Sequence, residues 1–313
     1  MRKFIALRLA GMVPLLFVIS VLVFLLVHLV PGSVADVILG GDASPQAVAD
    51  LNHQLGLDRP LPAQYGTWIW HALHGDLGTS TRSADSVAGQ LANRLPATLS
   101  LCLGALLIAV VIGVAAGVRS SLRPGGPLDR MITVVASAAL AVPSFWIGIL
   151  LSVVVGVRLK WLPAGGYTNF SDDPWAWLQS LVLPWVALSL PSAAVITRQM
   201  RSSMISVLKA DYIRAALASG LPRRKVIFRH AVKNALTPVI TVIAFQLVVI
   251  LGASFVVEQA FNIGGVGSMA VQAIFDRDFP LVQGTVLVVA VLVLLVNLAA
   301  DIAFGWVNPK ARS

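Results

Sequence analysis

The sequence predicts an all-α, polytopic membrane protein with six transmembrane helices, and three observations predict it. Of its 313 residues, 57% are hydrophobic and 12% charged, with mean hydropathy +0.84; soluble domains run near a quarter charged. Six apolar stretches, near 9–30, 98–118, 131–157, 178–196, 239–257 and 284–307, approach the ~20 residues that a ~30 Å hydrocarbon core requires at 1.5 Å rise. Lys and Arg are parcelled unevenly between them. With the N-terminus inside, 17 of the 23 fall on inner segments and 6 on outer ones. The positive-inside rule then predicts both termini in the cytoplasm. The net charge of +9 is thus a record of topology. A nucleic-acid partner is not expected, because that needs the charge gathered on one exposed face. The single cysteine, Cys102, lies in an apolar run and can form no intrachain disulfide.

The first span follows Arg2, Lys3 and Arg8, as a secretory signal would, and Ser33-Val34-Ala35 resembles a cleavage site. Its apolar core exceeds the 7–15 residues of a signal, so a retained helix is expected; cleavage before Asp36 is the alternative. Residues 31–96 are too polar to span and are read as an extracytoplasmic helical segment. Ser44-Pro45 is an N-cap followed by proline at the first helical position. Val48, Leu51 and Leu55 then share one face, and Gly56 is a natural stop. Tyr65, Trp68 and Trp70 suit a membrane–water interface. Ser83 is expected to cap a third short helix carrying Val87, Leu91 and Leu95. His71, His74 and Asp76 make too thin a set for a metal site, and the wet side of a helix accounts for them.

Residues 119–130 (RSSLRPGGPLDR) form a short inner loop broken by Pro-Gly-Gly-Pro. Pro143, inside the third span, kinks it, for packing or to shape a path. Trp161, Trp175 and Trp177 read as an interfacial belt. Beyond the fifth span, Glu258 introduces a glycine-rich turn, EQAFNIGGVGSMA, which is a plain connection or a gate. In the last span Asn297 and Asp301 lie four apart on one face. Intramembrane ionisable groups are functional candidates, although packing near the inner end also accounts for this pair. Glu258, Asn297 and Asp301 are therefore candidate pathway or gate residues.

No chemistry of its own is legible in the chain. There is no H-E-x-x-H and no G-x-x-x-x-G-K-[ST], and no nucleophile with an evident base. The chain is thus expected to be neither an enzyme nor an ATP-binding protein, with no catalytic, cofactor or metal residues. An ion-coupled carrier usually places acids in its spans and shows inverted repeats; these spans are nearly acid-free. A transported solute would then draw its energy from another subunit.

The exception to the oil is 211–238, DYIRAALASGLPRRKVIFRHAVKNALTP. It reads as two short helices, with Gly220-Leu221-Pro222 as stop and restart. Arg214-Ala215-Ala216, then Gly220, then His230 and Asn234-Ala235-Leu236-Thr237-Pro238 resembles the EAA loop of ABC importer permeases. Arg214 stands where the general pattern has glutamate; arginine there, after Asp211-Tyr212, looks like the peptide and nickel transporter branch. The same branch is resembled by GLDRPLPAQY and GDLG within 56–78, Val257-Glu258 with Phe261, residues 277–284 (RDFPLVQG), and Asn297 with Asp301 and Pro309. Gly264-Gly265 and Asn308-Pro309-Lys310 depart from the usual Pro-Gly and Asp-Pro-Arg, which bears on substrate and not on family.

The resemblance implies a type I ABC importer permease (MetI-like) fold and the first of two paired permeases of the dipeptide/oligopeptide class, in a bacterial plasma (inner) membrane. Its partners would be a second homologous permease, two ABC ATPase subunits that bind ATP and Mg, an extracytoplasmic substrate-binding protein and the lipid bilayer. The cargo would be short peptides, with nickel or another small solute as the alternative within the class, and an ion-coupled secondary carrier as the alternative outside it. Asp211, Arg214, Ala215, Ala216, Gly220, Pro222, Arg223, His230 and Pro238 would form the ATPase-coupling loop. Small Ala215, Ala216 and Gly220 would let a partner backbone approach. The expected divisions are an N-terminal transmembrane helix at 1–30, the insert at 31–96, a five-helix permease core at 97–307 with its coupling loop within 198–238, and a cytoplasmic tail at 308–313.

Overall fold

The computed structural model describes residues 2–29, 35, 39 and 43–307. The tail at 308–313 and Asp36, the alternative mature N-terminus, lie outside them. Helices dominate: α1 (Arg2–Leu29), α2 (Pro45–Leu55), α3 (Leu61–Leu73), α4 (Val87–Ser121), α5 (Pro127–Ala141), α6 (Ser144–Arg158), α7 (Pro174–Leu208), α8 (Asp211–Ala218), α9 (Arg223–Ala260), α10 (Val266–Phe275) and α11 (Phe279–Val307). Among the described residues no strand forms; one isolated bridge joins Thr79 to Ser86. Among the described residues five helices are long and apolar enough to cross a membrane, or six if the α5–α6 pair counts as one span.

Local signals act largely as the sequence dictates. The Ser44 hydroxyl accepts from the Ala47 N–H at 3.2 Å and opens α2. Gly56 closes it with φ 67°, a left-handed conformation that glycine adopts without a Cβ penalty. Two expectations change. No separate helix follows Ser83: the chain turns there, and Val87 begins a single helix that runs through Pro96 to Ser121. At 35 residues it is about 50 Å long. The third span is not a kinked rod but two helices bent by 96°. The residue before a proline is pushed out of the α region. Accordingly Val142 is extended (φ −103°, ψ 126°) and Pro143 has ψ 139°, so two successive residues leave the helix.

The chain divides into two compact units, one built on Ala97–Gly264 with parts of the terminal helices, the other on Ala6–Pro96 and Gly265–Leu295. In the second, Phe17 and Phe24 of α1 meet Tyr65 and Trp68 of α3 with ring centroids 5.5–6.2 Å apart, and the Ser20 and Tyr65 hydroxyls lie 2.8 Å apart. Val87 and Leu91 pack with Val266, Met269, Ala273 and Leu281. Asp278 is buried there. It accepts from the Ser80 hydroxyl and from the Thr81 N–H at 3.2 Å, and its own carbonyl takes the Val282 N–H that opens α11.

In the first unit α7 is the central post. Leu181, Ala187, Ile196, Met200 and Met204 are wholly buried, and α5, α6 and α9 pack against it. Against α4 it comes unusually close. A Cβ at Gly104 would lie 2.1 Å from the Trp185 ring, at Gly113 2.7 Å from Ile196, and at Gly117 2.6 Å from Met200. Lipid tails supply no hydrophobic drive between helices, so this close small-residue packing is what holds them together.

Candidate functional site

The polar run 211–238 folds as one short helix and the start of a very long one. The two short helices expected there are thus half realised: α8 is separate, while its successor continues without interruption as α9, 38 residues in all. Residues Val226–Ala231 of α9 wind as wider π turns, and Pro238 sits exposed inside the helix rather than at a loop end.

α8 is short, and its own propensity would not hold eight residues as a helix in water. Three contacts fix it. Ile213 is 1% exposed and inserts among Met200, Met204, Val226, Ile227, Ala231 and Ala235. The Asn234 side-chain amide donates to the Tyr212 hydroxyl at 2.9 Å, pinning α8 to α9. The C-terminus is a Schellman motif: the Leu221 N–H reaches the Ala216 carbonyl (3.3 Å) and the Gly220 N–H reaches the Leu217 carbonyl (3.1 Å). Gly220 takes φ 79° there, with nothing within 4 Å of a would-be Cβ. Glycine at 220 is therefore required by the backbone and leaves open space beside it.

Exposure sorts the remaining residues. Asp211, Arg214, Ala215, Pro222 and Arg223 are exposed; His230 is partly buried; Ala216 leans inward and packs on the Ile213 cluster. Arg214 donates to Asp211 at 2.6 Å on the helix surface. Arg223, Arg224, Lys225 and Arg229 form no ion pair among the described residues. Pro222, Arg224, Lys225, Phe228 and Arg229 border a shallow surface cleft in which Phe228 is 62% exposed. The loop thus offers a small, stiff, exposed helix with a cationic, aromatic flank.

The pathway candidates do not converge with that loop. Glu258, on α9, is fully buried, and the Thr98 hydroxyl of α4 donates to it at 2.7 Å. Cys102 and Ser254, each four residues from one of these, are buried too. Sequence reading singled out Glu258 but missed Thr98, which carries no signal beyond lying four residues from Cys102. Asn297 is exposed and Asp301 half-buried on α11. His71 pairs with Asp76 at 3.5 Å, while His74 Nδ1 meets the Trp70 carbonyl at 2.8 Å. Among the described residues no group of three metal-ligating side chains assembles.

A second polar contact, between the 119–130 stretch and α7, was also missed. Asp129, at the start of α5, is held by Arg201 of α7 through two bonds of 2.6 and 2.7 Å. Its signal in sequence is faint: it is the lone acid of the basic stretch 119–130.

These features define a multi-pass helical component of a membrane transport system. Residues 109–313 match the family described as "Binding-protein-dependent transport system inner membrane component", and residues 1–102 match the N-terminal part of such membrane components. The chain belongs to this family, which supplies the membrane permease of ABC importers. Such permeases are not themselves catalytic and work with a paired permease, ATPases and a substrate-binding protein. A putative peptide transport system permease of Brucella abortus (strain 2308) is 38% identical over 305 residues, 97% of both chains. A probable peptide ABC transporter permease of Sinorhizobium fredii is 36% identical over 312 residues, 100% of both. A glutathione transport system permease of Escherichia coli O6:H1 is 38% identical over 312 residues, 100% of this chain and 99% of that one. Among solved structures, the inward-facing MetNI methionine ABC transporter matches with TM-score 0.58 at 18% identity, covering 70% of this chain and 96% of that one. That likeness shows the permease fold.

Proposed function

We propose that this permease carries short peptides across a bacterial inner membrane, paired with a second, homologous permease and fed by an extracytoplasmic binding protein. Two ATPase subunits, which bind the ATP and Mg, dock on α8 and the residues around it. The observation that carries the reading is the construction of α8. It is a helix of eight residues, anchored by one buried isoleucine and stopped by a left-handed glycine. A flexible loop would dissipate the push of a closing ATPase pair; an anchored helix passes it to the spans. Asp211, Arg214 and Ala215 are the exposed contact face, Pro222 and Arg223 begin its basic flank, Ala216 packs beneath it and Gly220 closes its end. His230 and Pro238 belong to the root of α9 and are placed to set its angle.

The division of charge supports an orientation with both termini and α8 in the cytoplasm and 31–96 outside. The insert, the five-helix core and the terminal tail remain the working divisions. Asn297, exposed, and Asp301, half-buried one turn further along α11, are the pathway candidates that go with this reading. A gating role for Glu258 would act through its bond to Thr98. Peptide cargo is favoured over nickel by the names of the relatives, which are peptide and glutathione permeases.

The test is reconstitution with partner subunits in vesicles. Di- and oligopeptides, presented with the binding protein, should stimulate ATP hydrolysis and enter, while nickel should do neither. Ala215→Trp, at an exposed site that leaves the core untouched, should prevent the ATPases from co-purifying and abolish uptake. Retained assembly and uptake in that variant would sink the docking assignment.

A further inference from the structure

The root of α8 is tied to a second loop, at a site that shares no residue with the coupling helix or the pathway candidates. Asp129 is 4% exposed. Arg201 Nε donates to its Oδ1 at 2.6 Å and Nη2 to its Oδ2 at 2.7 Å. The Ser120 hydroxyl also donates to Oδ1, and the Gly125 N–H donates to Oδ2 at 2.7 Å. Four donors from three segments therefore converge on one carboxylate: the last turn of α4, the tight turn at Gly125 (φ 78°), and α7 shortly before it ends at Leu208. Lys209 and Ala210 are all that separates α7 from α8.

Geometry sets what such a joint can do. A two-pronged guanidinium–carboxylate bond fixes rotation as well as distance, whereas an ammonium is a point charge about which a partner pivots. Gly113 and Gly117 already press α4 against α7 at Ile196 and Met200. The pair therefore closes the open end of a lever whose length is already packed.

We propose that Asp129 and Arg201 are positioning residues of the transport cycle: they brace the 119–130 loop against the root of α8, so that α4, α5 and α7 turn together when α8 is displaced. This rests on the assignment of α8 as the ATPase contact. Coupling between distant sites travels through packed elements with discrete arrangements, and this buried joint connects the element that is pushed to three that line the core.

The experiment uses the complete transporter, with partner permease, both ATPases and binding protein, in vesicles. It reads three quantities: ATPase retained on the membrane complex, peptide-stimulated hydrolysis, and peptide imported per ATP. Arg201→Lys keeps the charge and loses the fork; Asp129→Asn keeps the shape and loses the charge. Both should hold their ATPases while peptide per ATP falls by about tenfold. The double variant should do no worse than either single one, because both remove one joint. An unchanged peptide-per-ATP ratio in Arg201→Lys overturns the brace, as do losses that add in the double variant. A fall in folded yield with a normal ratio in the assembled remainder reduces the pair to a stability contact and overturns it as well. Failure of the wild-type chain to hold the ATPases, or retention of them by Ala215→Trp, sinks the docking assignment instead.

Discussion

Two aspartate–arginine pairs lie at the same end of the first unit, and each has an N–O distance of 2.6 Å. Asp211 and Arg214 sit on the surface of α8 with side chains 94% and 72% exposed; Asp129 and Arg201 are 4% and 33% exposed. Equal length does not mean equal consequence. Water screens the first pair, and holding two long side chains in one geometry costs entropy, so such pairs contribute little. The second is shielded on the carboxylate side only, since Arg201 keeps a third of its side chain in water. Its strength lies in geometry: two bonds from Arg201, with the Ser120 hydroxyl and the Gly125 N–H, fix one carboxylate from three segments. The surface pair belongs to a helix that must stay free to meet a partner; the buried one belongs to the frame that carries that helix.

Substitution can break the contrast, most strongly at the buried arginine. Arg201→Ala removes two of the four donors to Asp129 and should lower the stability of the purified chain by about 2 kcal/mol, below the range for buried pairs because a third of the arginine is exposed and Ser120 and the Gly125 N–H still hold the carboxylate. Thermal unfolding in detergent measures it, and a loss below about 1 kcal/mol would put this pair in the same class as the surface one. Next comes the packing that seats the buried pair. Gly117→Leu drives a side chain into Met200 and the Thr197 carbonyl and should cost about 1–3 kcal/mol, with the α4–α7 distance widening in spin-label measurements; an unchanged distance would show that the glycines do not set the approach.

Smaller effects probe the surface side. Gly220→Ala keeps the open space but forces a Cβ into φ 79°. It should cost about 1 kcal/mol and speed hydrogen exchange at the Leu221 amide, whose bond to Ala216 closes the helix. Normal protection there would mean that α8 is held by Ile213 and Tyr212 alone. Asp211→Asn should be the mildest of the set, with no measurable change in melting or in ATPase retention. A drop in ATPase retention without a drop in stability would show that Asp211 meets the partner directly.

Legibility in the sequence followed the range of the interaction. Caps at Ser44 and Gly56, the stop at Gly220 and the number of spans come from neighbours along the chain, and all were readable. The loop motif was readable too, and its glycine has a reason the motif alone does not state, a backbone at φ 79°. Ser83 failed as a cap because Ser86 takes that place, its hydroxyl accepting the Gly89 N–H at 3.4 Å and its carbonyl the Gln90 N–H at 3.0 Å, and the helix it opens runs on through Pro96. Pro143 announced a break but not a 96° turn, since the angle depends on what the two halves pack against. Thr98 and Arg201 gave no signal, because each acquires its meaning from a residue far away in sequence.

By itself, then, the sequence determined the solvent, the spans and the polar loop, since hydropathy, charge spacing and local backbone preferences are properties of short stretches. Tertiary structure decided that Asp129 is buried while Asp211 is exposed, which helix Glu258 bonds, and where a glycine serves a turn or a close helix contact. Those are questions of dielectric and distance between remote segments, and a side chain's energy is set by what surrounds it after folding.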